Sequence, residues 1–345
     1  MAEPMAGRVS AAMASDKSTR RIAVYVDLDL VGDALIKLPM VRALRRAYPG
    51  AEIIWIAGQG PSAFADLLAP LVEGLLDRVI ARAGTGAELR RALGPQPLDL
   101  LIDTQSTLVI ARALRRLGAR RFVTAAACGL PGWPPQFALN PPRHLVRRLL
   151  ALVQRATGVA PQTDVPLRLP LAIESRAATL LPPGSDYVAQ VLGAGGRHKA
   201  WPEAHHVVLA QALLAERRVP VLILGPDERD RHAPLAAALP GARFPLQEAG
   251  DAPPALTIAL AARCAAAVAA DCGGGHMMAT AGIPLVSLFG PTDPAKFAPW
   301  APVSRILRTQ DFIGPDRDTS DMASIPPAAV HAVLREIASP RGPVP

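Results

Sequence analysis

Residues 21–49 read RIAVYVDLDLVGDALIKLPMVRALRRAYP, and their pattern indicates the fold class of the chain. Apolar, mostly β-branched side chains alternate over residues 21–27 and predict a buried strand that ends before Gly32. After Pro39 the apolar residues recur at three- and four-residue spacing, as on the buried face of a helix, and Pro39 itself predicts a kink. The segment is therefore predicted to form a strand, a turn and a helix.

The same alternation recurs along the chain. Further strands are predicted at residues 52–57, 78–80, 98–103, 187–192, 219–224, 266–270 and 285–288. Further helices are predicted at residues 62–75, 108–117, 143–157, 204–217, 255–263 and 276–281. Strands that alternate with helices of this length predict parallel, doubly wound α/β sheets.

Proline-rich sequence interrupts the alternation and predicts two domains. A proline-rich loop precedes the helix at residues 143–157, and a second one follows it. We predict a disordered tail at residues 1–20, a Rossmann-like domain at residues 21–160, a linker at residues 161–185 and a second Rossmann-like domain at residues 186–340. Two such domains would face a cleft, where ligands usually bind.

Arginine greatly outnumbers lysine among the basic side chains. The chain carries a formal net charge of +8, and lysine occurs only at Lys17, Lys37, Lys199 and Lys296, so arginine supplies most of the positive charge. Arginine favours bidentate contacts to phosphate and carboxylate. The composition is therefore compatible with nucleic acid, an anionic membrane surface or phosphorylated small molecules as partners. It is equally compatible with basic residues that only form solvated faces and bind no partner.

The cysteine content indicates the cellular compartment. Cys128, Cys264 and Cys272 are too few and too scattered for a disulfide framework, which favours an intracellular protein.

The basic helix at residues 143–157 fits either a peripheral contact with anionic lipid or an exposed polar face whose leucines pack inward, and the second is favoured.

Glycine-marked turns follow several predicted strands. Such turns place backbone N–H groups and a helix N-terminus where a diphosphate can bind. No complete nucleotide fingerprint is present, so tight turns needed only for folding are the alternative. The turns are Gly32-Asp33, Gly193-Ala194-Gly195-Gly196, Gly225-Pro226-Asp227-Glu228 and Asp271-Cys272-Gly273-Gly274-Gly275-His276.

Individual charged residues near these turns admit two roles each. Asp33 could cap a helix or act as a general base, and its position alone favours the cap. Lys199 could neutralise a departing phosphate or be a solvent lysine. Asp27 and Asp29 resemble a DxD metal pair, but no third ligand is near, so no metal site is predicted.

Three blocks of residues resemble glycosyltransferase family 9, the ADP-heptose:lipopolysaccharide heptosyltransferases. The first block is residues 31–49, which contain Val-Gly-Asp-Ala-Leu-Ile-Lys-Leu-Pro. The second is residues 193–202, with the glycine turn, Lys199 and Trp201-Pro202. The third is the turn from Asp271 to His276, followed by Phe-Gly-Pro-Thr-Asp-Pro at residues 289–294. Their order and spacing match over roughly residues 21 to 340.

The resemblance implies a GT-B fold with an N-terminal acceptor domain and a C-terminal donor domain. It implies an inverting transfer of heptose from ADP-heptose to lipopolysaccharide core without metal or other cofactor, in the cytoplasm or at the inner membrane's cytoplasmic face. The expected partners are a nucleotide-sugar donor and an anionic glycolipid or glycan acceptor, without nucleic acid. The implied roles are a general base for Asp33, diphosphate stabilisation for Lys199, acceptor-side positions for Gly32 and Lys37, and donor binding for Gly193, Gly195, Gly196, Glu228, Asp271, Gly273, Gly274, Gly275 and His276.

Three departures from the family pattern keep other functions open. Asp27 and Asp29 stand where the family usually has a basic residue and then serine, Cys272 replaces serine or threonine, and Gly274-Gly275 replaces bulkier residues. The alternatives are a catalytically degenerate member that binds a nucleotide sugar or glycolipid, a sugar-nucleotide epimerase, and a nucleic-acid-binding protein.

Overall fold

The computed structural model describes residues 19–126, 142–163, 167–251, 253–313, 318 and 320–338. Residues 1–18 of the predicted tail, most of the proline-rich loop before residue 142, and part of the predicted linker lie outside the described residues. The described chain forms two five-stranded parallel sheets with helices on their faces, so the predicted α/β fold is confirmed.

The first sheet has the Rossmann strand order. Its strands are β1 (Arg21–Val26), β2 (Glu52–Ala57), β3 (Arg78–Ile80), β4 (Leu100–Asp103) and β5 (Arg121–Thr124), and the helices of this half are α1 (Val31–Ala47), α2 (Ala69–Val72), α3 (Ala87–Leu93), α4 (Leu108–Arg115) and α5 (Leu145–Thr157). The order is β3-β2-β1-β4-β5, and in the parallel register Arg21 pairs with Glu52 and Val26 with Ala57. The strand order reverses between β1 and β4, where such folds bind ligands.

The second sheet has the other common doubly wound order. Its strands are β6 (Tyr187–Val191), β7 (Val219–Ile223), β8 (Ala266–Ala270), β9 (Leu285–Phe289) and β10 (Ser304–Arg308). The helices of this half are α6 (Leu171–Leu180), α7 (Glu203–Ala215), α8 (His232–Ala238), α9 (Pro245–Ala249), α10 (Pro254–Ala261), α11 (Gly273–Thr280), α12 (Pro294–Phe297) and α13 (Pro327–Ile337). The order β10-β9-β8-β6-β7 reverses between β6 and β8.

Both faces of the central strands are buried, which explains their continuous apolar sequence. In β1, Ile22 and Val24 face the cluster that includes side chains of α1 and α5, while Ala23 and Tyr25 face the cluster that includes side chains of α3 and α4. Parallel sheets are covered on both faces in this way. Three leucines of α5, Leu149, Leu150 and Leu152, lie in the first cluster and thus pack inward, as the favoured interpretation of the basic helix predicts.

Two predicted segments fold differently from the expectation. The predicted helix at residues 62–75 is wrong: the structure has a 3-10 turn at Ala63–Ala65 and then only the short helix α2. Pro70 lies in the first turn of α2, where its missing N–H group breaks no helical hydrogen bond, so the helix begins beside Pro70 rather than at residue 62. The proline-rich linker at residues 161–185 contains helix α6, which packs beside α10 and contributes Ala177 to the core of the second half.

The two halves contact each other through helices that begin at their ligand-binding edges. Helix α1 follows β1 and helix α11 follows β8, and the two helices pack together. A Cβ atom built on Gly32 would lie 3.8 Å from the Cα of Gly273. The first turns of both helices therefore meet at one place.

Candidate functional site

Asp33 lies in the first turn of α1 with its side chain exposed. The helix begins at Val31 with Leu30 as its N-cap residue, and no side chain caps it, so the capping role that position alone favoured is wrong. Among the described residues none donates a hydrogen bond to this carboxylate. The carboxylate therefore lies at the positive end of a helix, with oxygens that are open to a ligand.

A cavity of about 340 Å³ opens beside Asp33 on the N-terminal half. Its wall carries opposite charges: the carboxylates of Asp27 and Asp33, and the cationic groups of Arg148 and Lys296 from α5 and α12. Lys37 also lines it, but its Nζ donates to the carbonyl oxygen of Leu28 at 2.7 Å. The cavity offers both a carboxylate and cationic groups to a polar molecule.

Asp29 is a structural residue. Its side chain is fully buried, and its Oδ2 accepts hydrogen bonds from Trp55 Nε1 at 3.0 Å and from Ser62 Oγ. Its Oδ1 accepts from Lys37 Nζ at 3.2 Å. Asp27, by contrast, accepts from Gln59 near the surface. The two carboxylates thus belong to different networks and do not form the DxD pair that their spacing resembles.

The ammonium group of Lys199 lies against the turn after β8. Lys199 Nζ is 3.0 Å from Asp271 Oδ2, and the hydroxyl of Thr292 donates to the same oxygen at 2.8 Å. Both members of the ion pair are partly exposed. The structure therefore brings together a lysine and an aspartate that lie 72 positions apart in the sequence.

Glu228 closes the turns after β6 and β7. Its Oε2 accepts a hydrogen bond from the backbone N–H of Gly225 at 3.0 Å. A Cβ atom on Gly193 would lie 2.7 Å from that oxygen, so a larger residue there would displace the Glu228 carboxylate. Gly195 is exposed with open space around it, and a Cβ atom on Gly196 would collide with His198. The predicted donor residues of these two turns thus lie side by side.

The glycines at the start of α11 differ in their surroundings. A Cβ atom on Gly274 would lie 2.5 Å from Val191 Cγ1, and one on Gly275 would lie 3.3 Å from the carbonyl oxygen of Ala270. Gly273 has nothing within 4 Å. Gly274 and Gly275 therefore allow α11 to pack tightly on the second sheet, while Gly273 leaves space at the helix N-terminus.

Two titratable side chains of this turn, the buried His276 and the partly exposed Cys272, are uncharged at pH 7. Burial lowers the pKa of His276 to about 4, so its imidazole is neutral at pH 7, and it lines a second cavity away from Lys199. Burial raises the pKa of Cys272 to about 11, which keeps it as a thiol. Neither side chain is therefore poised as an acid or a nucleophile at neutral pH.

A buried carboxyl group follows β4, next to the cavity that Asp33 lines. Asp103 is fully buried, and burial raises its pKa to about 6 against the hydrogen bonds from Gln105 N–H and Thr124 Oγ1. These bonds hold the backbone of Thr104 and Gln105, which line the cavity. Asp103 therefore shapes the wall rather than facing the cavity.

Sequence reasoning did not single out several residues of the site. Thr292 belongs to the third block that resembles family 9, but nothing in the sequence indicated that its hydroxyl would donate a hydrogen bond to Asp271. Arg148 and Lys296 had no local signal as neighbours, because they reach the cavity from helices far apart in sequence. Among the described residues no group of three metal-ligating side chains comes together, and no helix is long and apolar enough to cross a membrane.

The comparison with known proteins identifies the family. The model of glycosyltransferase family 9 (heptosyltransferase) matches residues 87–324, more than half of the chain. The chain belongs to glycosyltransferase family 9. This match begins after the Asp33 turn, so the role of Asp33 does not rest on it.

Known proteins resemble this family 9 glycosyltransferase both in sequence and in fold. Lipopolysaccharide heptosyltransferase 1 of Pseudomonas aeruginosa is 28% identical over 298 residues, 79% of each chain. A family 9 glycosyltransferase of Veillonella parvula superposes with a TM-score of 0.73 at 16% identity, over 94% of this chain and 99% of that one. The E. coli heptosyltransferase WaaC with ADP gives a TM-score of 0.64 at 22% identity, over 92% and 100%. The enzyme therefore has the GT-B fold.

Proposed function

We propose that this glycosyltransferase moves a heptose from ADP-heptose to a hydroxyl group of a lipopolysaccharide core acceptor, with inversion at the anomeric carbon. The observation that carries the proposal is the approach of Gly32 to Gly273. It brings the exposed Asp33 carboxylate and the N-terminus of α11 to the same part of the cleft. The heptosyltransferase relatives support the donor class.

In the proposed reaction the acceptor hydroxyl gives its proton to a carboxylate oxygen of Asp33. The acceptor oxygen forms a bond to the anomeric carbon, and the bond from that carbon to the β-phosphate oxygen breaks. ADP leaves with the electron pair of the broken bond. Attack from the face opposite to ADP inverts the configuration, and a single carboxylate suffices as the base.

The donor would occupy the turns of the second half. Lys199 and the N-terminal N–H groups of α11 would stabilise the negative charge that develops on the diphosphate, and these groups allow transfer without a metal ion. The Lys199–Asp271 pair holds the ammonium group near this position before the donor binds. Glu228, which lies beside Gly193 and Gly225, would accept hydrogen bonds from ribose hydroxyls.

The acceptor would occupy the cavity beside Asp33. Arg148 and Lys296 offer cationic contacts to an anionic glycolipid or glycan, whereas Asp27 would select against an anionic group on its own side. We predict a cytoplasmic location. Because α1 covers the apolar face of α5, any peripheral contact with the inner membrane would use its arginine-bearing face.

The test is a product analysis with a panel of sugar nucleotides, each with and without a heptose-free core acceptor. We expect a heptosylated acceptor and free ADP from ADP-heptose, and no product with Asp33→Ala. Conversion of the donor without acceptor would instead indicate an epimerase. ADP binding without turnover on any acceptor would indicate a degenerate binding protein, and both outcomes contradict the proposal.

A further inference from the structure

Thr292 lies at the edge of the second sheet where the donor turns meet. It follows the end of strand β9, and β9 lies beside β8, which ends just before Asp271. The next strand of the sheet is β6, and the segment that follows it carries Lys199. Because parallel strands end at the same edge of a sheet, three segments that are far apart in sequence lie side by side here.

One carboxylate oxygen of Asp271 serves both neighbours. Thr292 Oγ1 donates to Asp271 Oδ2 at 2.8 Å, and Lys199 Nζ is 3.0 Å from the same atom. The side chain of Asp271 is 13% exposed and that of Lys199 is 24% exposed, so water competes only partly for these contacts. Hydrogen bonds that involve a charged group are stronger than neutral ones. Together the hydroxyl and the ammonium group set the direction in which the carboxylate faces.

The backbone that carries the Thr292 hydroxyl is itself held in place. Phe289, at the end of β9, is fully buried. On the other side, Asp293 is the N-cap residue of α12, and its Oδ1 accepts a hydrogen bond from the backbone N–H of Ala295 at 2.9 Å. Threonine is β-branched and has few rotamers. The hydroxyl therefore reaches Asp271 from a well-defined position.

We propose that Thr292 is a positioning residue, which orients the Asp271 carboxylate so that Lys199 stays available to the diphosphate of the donor. The inference rests on the proposed role of Lys199. The Thr292 hydrogen bond supplies part of the stabilisation that the carboxylate needs, so the carboxylate holds Lys199 less tightly than it would alone. An ammonium group has three N–H donors, so Lys199 can keep one on Asp271 and direct the others to phosphate oxygens.

The contribution of Thr292 should grow as the donor reacts. The β-phosphate gains negative charge when its bond to the anomeric carbon breaks, so Lys199 stabilises the departing ADP more than the intact donor. Loss of the Thr292 hydrogen bond should therefore lower kcat more than it raises the KM for the donor. Free ADP carries the fully developed charge, so its Kd should rise as well.

The test combines transfer kinetics with calorimetric titration of ADP for the wild type, Thr292→Val and Thr292→Ser. Valine keeps the shape of the side chain without the hydroxyl, whereas serine keeps the hydroxyl. We expect Thr292→Val to lower kcat by about ten-fold, to change the donor KM by less than about three-fold, and to raise the Kd for ADP by about three-fold to ten-fold. Thr292→Ser should keep kcat and the Kd for ADP within about two-fold of the wild type.

Two further measurements separate positioning from a merely structural role. In a Lys199→Gln background, Thr292→Val should change the Kd for ADP by less than about two-fold, because the ammonium group that it positions is gone. The matched control is Thr280→Val, which removes another partly buried hydroxyl, one that donates to the carbonyl oxygen of His276 at 2.8 Å. This control should leave both kcat and the Kd for ADP unchanged.

A wild-type Kd for ADP in Thr292→Val would overturn the proposal, and so would equal effects of this substitution with and without Lys199. Failure of the proposed function is seen separately. A wild type that transfers no heptose, but in which Thr292→Val weakens ADP binding only when Lys199 is present, would contradict the proposed donor sugar or acceptor and still support the positioning role.

Discussion

Replacing Asp29 by asparagine tests whether this carboxylate is structural. Its Oδ2 accepts hydrogen bonds from Trp55 and Ser62, and its Oδ1 faces Lys37 Nζ at 3.2 Å. In Asp29→Asn the remaining oxygen can serve Trp55 and Ser62, so the new NH₂ group is directed at the ammonium group of Lys37. Two donors then face each other in a buried place.

The size of the effect follows from burial. Asp29 is fully buried and the Lys37 side chain is 12% exposed, so solvent does little to replace the lost pair. Removing one partner of a buried pair costs about 3–5 kcal/mol of unfolding free energy. Lys37 retains the carbonyl oxygen of Leu28 as a partner, which places the expectation for Asp29→Asn at about 3 kcal/mol, the low end of that range.

The assay is urea unfolding of the wild type, Asp29→Asn and the matched control Asp27→Asn. Asp27 stands two residues earlier, is partly exposed and has one surface hydrogen bond from Gln59, so its replacement should change stability by less than about 0.5 kcal/mol. Lys37→Met and the double variant with Asp29→Asn complete a cycle that measures the coupling, expected at about 1–3 kcal/mol.

Equal stability of the two asparagine variants would refute the structural role. So would an equal loss of transfer activity in Asp27→Asn and Asp29→Asn that excess Mg²⁺ restores, because that result would indicate a shared metal ion.

Three further variants probe the turns and the cavity wall. Gly274→Ala should lower the free energy of unfolding in urea by about 1–3 kcal/mol, because its Cβ would collide with the stiff side chain of Val191. The control Gly273→Ala has open space around its Cβ and should change this free energy by less than about 0.5 kcal/mol. Equal effects of the two substitutions would contradict the packing argument. The pKa of Asp103, raised from 3.8 to about 6, means that its stabilising contribution is complete below about pH 4 and is lost as the pH rises through 6. Asp103→Asn should therefore gain stability relative to the wild type, by up to about 3 kcal/mol, between pH 4 and pH 7, and a constant difference across this range would contradict it. Lys199→Gln should weaken ADP binding by about ten-fold to a hundred-fold in calorimetry, and an unchanged Kd would remove Lys199 from the donor site.

The sequence predicted the sheets well because buried parallel strands have continuous apolar runs. Strand β1 and helix α1 were visible in residues 21–49, and helix α1 includes Pro39 within one continuous element. Strands β5 and β10 were missed because they are edge strands that are only partly buried, so neither has the continuous apolar run of the central strands. Helix α6 was hidden between prolines that mark its ends rather than a linker.

Residues of the candidate site could be singled out from the sequence where they follow predicted strands, but not where they meet only through the fold. Asp33, Lys199 and Asp271 stand beside recognisable turns. The role of Asp29 depended on Trp55 and Ser62, which sequence spacing could not place around one carboxylate.

The most direct test of the central claim separates chemistry from binding in Asp33→Asn. Asparagine keeps the shape of the side chain but cannot accept the acceptor's proton, so kcat for heptosyl transfer should fall by about 10²–10⁴ while the Kd for ADP, measured by calorimetry, stays at the wild-type value. Wild-type kcat in Asp33→Asn would contradict the role of Asp33 as the base. A parallel loss of ADP binding would assign it to the donor site instead.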